Sequence, residues 1–232
     1  MEQSNSLSVF SARKEERLNS GLGDQISVRT YNAVMLLTLM WGFLVNAVMV
    51  HYFTLPIVRL LSGVSPLWLF VGYFVLAIAG VVISARSTNP WISFLGYNLL
   101  VLPIGVMLCL ILPGVPVAIV TKALLLTGIV TATMTLLGLV APNVFMGMGR
   151  TLFIALIVGI VAELVATFLF HYTGAAFDWI FVILFSAYIG YDVAKSQVYP
   201  KTVDNAVDCA LDIYLDIINI FIRLLAILSR RD

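Results

Sequence analysis

Seven stretches of about 20 or more mostly apolar residues, each long enough to cross bilayer hydrocarbon, follow one another with only short breaks: 30–53, 66–85, 91–112, 116–140, 151–172, 176–198 and 205–228. A soluble core has no room for so many consecutive apolar helices. The composition agrees, with 61% hydrophobic and 11% charged residues and a mean hydropathy of +1.05, outside the range of ordinary globular domains. The expected fold class is an all-α integral membrane protein. In lipid each backbone polar group must be satisfied within its own segment, which leaves helices as the economical solution.

The breaks "STNP" (87–90), "LPGVP" (112–116), "APN" (141–143) and "YPKTVDN" (199–205) are too short for an inserted domain, and no internal repeat is visible. The reading is one seven-transmembrane helix bundle over 30–232, preceded by a polar tail over 1–29. Of the 13 basic and 12 acidic residues, eight lie in the first 29 positions and only Arg59, Arg86, Lys122, Arg150 and Glu163 fall between 30 and 177. The tail has no apolar signal-peptide core with a cleavage site, so the first membrane helix is expected to direct insertion. With the N-terminus in the cytoplasm, eight Lys and Arg lie on that side and five on the other, the bias that favours this orientation. The basic C-terminal end runs against it. A multi-pass protein of the bacterial inner membrane fits best, with an intracellular eukaryotic membrane as the alternative.

Other classes are disfavoured. A net charge of +1 gives no reason to expect a nucleic-acid partner. Cys109 and Cys209 sit in apolar runs without metal or redox spacing, so packing is their expected role. No Gly-rich phosphate loop, Ser-His-Asp set or zinc spacing appears, so no catalytic residue, cofactor or resident metal is expected. His51 and His171 fall at helix ends, and Lys122 is placed to snorkel to the interface.

The last apolar stretch carries the chemistry. In "DCALDIYLDIINIFIRLL" (208–225), Asp208, Asp212, Asp216, Asn219 and Arg223 fall within roughly 80° of one helix face, over an axial run of about 22 Å. That stripe cannot face lipid, so this helix is expected to lie at the bundle centre. Asp208 reads as an acid that caps or solvates the helix start. Asp216 is either functional or part of a structural ion pair with Arg223. In the sixth stretch, "FSAYIGYDVAKSQ" (185–197) places Asp192 near the membrane edge, with a local bond to Lys195 as its simplest role. Antiparallel packing of the last two helices brings Asp192 near Asp212 or Asp216. Two such carboxylates in a low dielectric cannot both stay ionised; they share a proton and titrate as a pair. Glu163, deep in "LIVGIVAELVATFLF", stays outside the candidate site because no motif surrounds it.

"YDVAKSQ", followed 24 residues later by the second aspartate within "ALDIYLDIINIFIRLL", resembles the transmembrane Bax inhibitor motif family, which ends in a Y-D helix and an L-[YF]-L-D-F-I-N-L-F type helix. The resemblance is specific there and weaker elsewhere, in the seven-span layout, the polar tail and "GYNLL" (96–100). It implies a seven-helix bundle with the last helix central, and a calcium leak gated by protonation of an aspartate pair. The pair would be Asp192 and Asp216. Arg86, at the end of the second helix, would be the arginine that interacts with the pair, and Asp212 would attract cations into a pathway shared with Asp216. The second helix lacks the acid that a cation path elsewhere uses, and Ile217 stands where Phe is common.

Two rival readings follow. Intramembrane aspartyl proteases pair Y-D with G-x-G-D, but Ile213, Tyr214 and Leu215 precede the second acid here, and the "GLGD" at 21–24 lies in the tail. The other rival is a non-conducting regulator of a membrane-bound protease or another membrane protein, with "FSARKEERLNSG" as a handle for such a partner.

Overall fold

The computed structural model describes residues 25–170 and 174–230. The tail through Asp24 with its "GLGD", His171 and Arg231 lie outside the described residues. Among those described, all regular structure is helical: α1 Val28–Val48, α2 Thr54–Leu61, α3 Pro66–Arg86, α4 Pro90–Ile111, α5 Val117–Val140, α6 Pro142–Met146, α7 Gly149–Phe170, α8 Ala175–Val198 and α9 Val203–Ser229.

Local chemistry sets the ends. Ser27 caps α1 by accepting from Thr30 N at 3.1 Å, Asn89 caps α4 by accepting from Trp91 N at 3.0 Å with Pro90 in the first turn, and Thr202 caps α9 by accepting from Asn205 N at 3.1 Å. Each oxygen satisfies a donor that has no partner inside its helix. Lys201 Nζ closes the other end of the same connection, donating to the carbonyls of Ser196 at 2.6 Å and Gln197 at 2.9 Å, where the α8 dipole favours a cation. The turn between α4 and α5 uses Gly114 at φ 89°, a left-handed conformation that glycine adopts without strain.

Six helices are long and apolar enough to cross a membrane among the described residues: Val28–Leu61, Leu67–Arg86, Pro90–Ile111, Val117–Val140, Gly149–Phe170 and Ala175–Val198. The chain is a multi-pass integral membrane protein. The first span differs from its expected end near residue 53. A π-helical segment, Met49–Phe53, carries α1 straight into α2, so the helical run is 34 residues long. Helix α9 is the seventh long helix, with 27 residues and about 40 Å of rise. Its four aspartates and Arg223 set it apart from the apolar six.

Helix α9 packs along α8 and also meets α1, α4, α5 and, more narrowly, α3. Its side chains are buried along its length, including Ala206, Leu211, Tyr214, Ile220 and Leu224. Helix α7 is the opposite case, burying only Leu152 among its side chains and presenting Phe153, Val158, Phe168 and Phe170 outward. Such a surface is stable against lipid tails. Within the bundle, backbones touch at glycines. A Cβ at Gly80 would lie 2.5 Å from Gly96 O, and one at Gly138 would lie 2.6 Å from Gly190 O. These contacts draw α3 onto α4 and α5 onto α8, the use membrane bundles make of small residues. Gly138→Leu is expected to cost about 1–3 kcal/mol through overpacking, read as a lowered unfolding temperature in detergent.

The buried cysteines fit their expected packing role, and Cys209 Sγ also accepts from Tyr31 OH at 3.3 Å. Nearby, Tyr214 OH accepts from Asn46 Nδ2.

Candidate functional site

The polar stripe of α9 is served by different neighbours at different depths. Nearest its start, Asp204 accepts from Ser93 Oγ of α4 at 2.6 Å, and Asp208 accepts from Ser84 Oγ of α3. Asp208 is buried and lies inside the helix rather than at its start, so the expectation of a capping or solvating role is corrected. Thr202 holds the cap, and Asp204 is the first-turn acid. A small cavity of about 40 Å³ opens beside this level, lined by Val81, Ser84, Ala85, Asp208, Leu211 and Asp212.

One turn deeper, Lys195 of α8 reaches across to α9. Its Nζ lies 3.0 Å from Asp192 Oδ1 and 2.6 Å from Asp212 Oδ2, with the rings of Tyr191 and Tyr199 centred 5.8 and 5.7 Å away. The local Lys195–Asp192 bond expected from sequence is present, and the second bond joins the two helices. At the connection itself, burial pushes the Tyr199 phenol up against the opposing pull of Lys195, and burial pulls the Lys201 ammonium down.

Deeper still, the carboxyl of Asp192 meets that of Asp216. Two carboxylates offer no donor, so this hydrogen bond exists only with a proton between them. Both residues are about 5% exposed, which shields the pair from bulk solvent. Asp216 stands at the midpoint of α9, and no N–H donor or hydroxyl reaches its buried Oδ2 among the described residues. The pair reached from sequence is therefore brought together, with Asp212 beside it.

Arg86 is not brought to the pair. It is exposed at the end of α3, and no ion pair joins it to Asp192 or Asp216 among the described residues. The cation bonded to Asp192, and to Asp212 beside the pair, is Lys195.

Arg223 leaves the Asp216 level entirely. Its guanidinium takes Glu163 of α7 in a two-pronged pair at 2.5 and 2.8 Å and Asp178 of α8 at 2.9 Å, over the Phe181 ring at 4.4 Å. Arg230 adds a bond to Asp178 at 2.6 Å. The structural Asp216–Arg223 pair is thus replaced by a clamp of Arg223 onto two other helices. Glu163 bonds a neighbouring helix, and Asp178 and Arg230 are participants that the sequence did not single out.

A profile of Bax1-I, inhibitor of apoptosis-promoting Bax1, matches residues 24–232, nearly the whole chain. The chain belongs to the Bax1-I family. Both aspartates of the buried pair lie inside the matched region. Two Helicobacter pylori proteins, each described as an uncharacterized protein, are similar to this Bax1-I chain. One, from strain J99, is 36% identical over 115 residues, covering 47% of each chain. The other, from strain 26695, is 36% identical over 113 residues, covering 47% of this chain and 46% of its own. The Bax1-I chain spans about half the length of the curated relatives it matches. No solved structure matches it.

Proposed function

We propose that this chain is a pH-sensitive calcium leak channel, built as a seven-span bundle with α9 at its centre and a cytoplasmic N-terminus, in the inner membrane of a bacterium. The observation that carries the reading is the close approach of two buried carboxyls, Asp192 of α8 and Asp216 of α9. The singly protonated pair, hydrogen-bonded across α8 and α9, is a latch in hydrocarbon. Losing its proton adds a charge in a low dielectric, which both repels the other carboxylate and attracts a cation. Asp212 supplies further negative potential on the same side. Membership of the Bax1-I family supports the membrane setting, and the bacterial source of the similar proteins supports the location.

Arg86 remains in this proposal as a modulator of the pair that acts without a direct ion pair. A non-conducting regulator of a membrane-bound protease or another membrane protein is the second reading. It is favoured by the smallness of the cavity beside Asp212, about 40 Å³, room for a single water. Calcium release from liposomes that contain only this chain decides between them: pH-dependent release supports the channel, and none supports the regulator.

A further inference from the structure

The first helical run is longer than its neighbours. It has 34 residues against 22 in α4, an excess of about 18 Å of rise that a bilayer accommodates by tilting or bending the helix. The π-helical segment Met49–Phe53 is a place where helices bend. Beyond it α2 packs on α4, and α3 packs on α4 separately. A cavity of about 500 Å³ lies among the three, with Ile57 and Leu61 of α2, Trp68, Gly72 and Leu76 of α3 and Met107 of α4 in its walls. That volume is in the range of about 300–1,000 Å³ found for small-molecule sites.

The walls state what fits. No charged residue lines the cavity, and aliphatic and aromatic walls leave a water short of the polar partners it needs. Leu60, Trp68 and Leu76 line the cavity and are exposed as well, so the cavity is continuous with the lipid-facing surface of the bundle. Its inner wall is firm, because Tyr73 and Ile111 pack against the core that holds Tyr97 and Tyr214. Arg59 of α2 points elsewhere: at 100° per residue it lies at least about 100° around the helix from Ile57, Leu60 and Leu61. We propose that this cavity binds one acyl chain of a phospholipid, taken from the leaflet opposite the N-terminal end of α1 and held by the fit of the chain instead of by its headgroup. A chain already in hydrocarbon gains no hydrophobic driving force by entering. It gains contact with walls on several sides, which an unfilled void would forfeit, and it keeps α2 and α3 apart while bracing both against α4.

Glycines supply the test. A Cβ at Gly72 meets nothing within 4 Å, so Gly72→Leu fills the cavity without a clash. Gly128 of α5 is equally open and lies outside the cavity, so Gly128→Leu controls for the same gain in helix propensity. Full-length protein in mild detergent is given phosphatidylglycerol or phosphatidylcholine with identical chains and read by native mass spectrometry. Wild type and Gly128→Leu should each retain one phospholipid, equally for the anionic and the zwitterionic headgroup, and Gly72→Leu should retain several-fold less. Either lipid should raise the unfolding temperature of delipidated wild-type protein and leave that of Gly72→Leu unchanged. A further measurement needs no variant: phosphatidylcholine carrying a diazirine at the end of one chain should label Leu76 and Met107 ahead of Phe153 and Val158 on the outward face of α7. Equal retention by Gly72→Leu and wild type overturns the site, and retention that follows headgroup charge overturns recognition by the chain. Recovery of a free fatty acid in place of the phospholipid overturns the occupant. Label spread evenly over the cavity and α7 overturns the site whether or not Gly72→Leu folds.

Discussion

Asp216→Asn and Asp192→Asn are each expected to abolish the pH response of calcium flux, whereas Asp208→Asn keeps it. An asparagine amide donates to the remaining carboxylate as a protonated acid would, so each variant is fixed in the singly charged, latched arrangement. The sign follows from the contact itself. The shared proton is held at low pH and lost as pH rises, so wild-type flux climbs with pH while the asparagine variants stay at the low-pH level from about 5 to 8, the range in which such pairs titrate. Asp208 accepts from Ser84 and stands outside the pair. Equal losses in all three variants would mean that general polarity of the α9 stripe, not the pair, carries the response.

Arg223→Ala should cause the largest loss of stability, about 3 kcal/mol, because removing one member of a buried charge network strands the others. Glu163 would lose its bidentate partner, and Asp178 would keep only Arg230 among the described residues. The Arg223 side chain is 24% exposed, which places the loss toward the lower end of that range. Arg223→Lys keeps the charge but not the planar fork and should recover only part of it. Arg230 is 43% exposed, and Arg230→Ala should cost less than about 1 kcal/mol. Thermal unfolding in detergent measures all three. Equal effects of Arg223→Ala and Arg230→Ala would show that the α7–α9 link contributes little.

Apolar runs and their breaks located most helices in the sequence because span length and backbone satisfaction in lipid leave few alternatives. The first helix escaped that reading. Its expected end lies near residue 53, yet the chain passes through a π-helical segment and continues to Leu61. Helical angles placed Asp216 and Arg223 on one face of α9, and both do point into protein. The angles could not reveal that they have different neighbours. Asp216 meets α8 at mid-helix, whereas Arg223, two turns on, meets α7 and α8 near the other end. Likewise the i,i+3 spacing made the Lys195–Asp192 bond legible, but the bond to Asp212 depends on the tilt and rotation of two helices, which no single-helix periodicity encodes. Arg86 shows the same limit from the other direction: it lies at the expected helix end, yet its side chain is exposed.

The central claim is that this chain alone passes calcium under control of a carboxyl pair. The most direct measurement is calcium entry into dye-loaded liposomes reconstituted with purified protein, recorded from pH of about 5 to 8, where a carboxyl pair of this kind titrates. The account predicts entry above that of empty liposomes, rising with pH through one transition. Entry indistinguishable from empty liposomes at every pH would contradict it and leave the regulatory reading in its place.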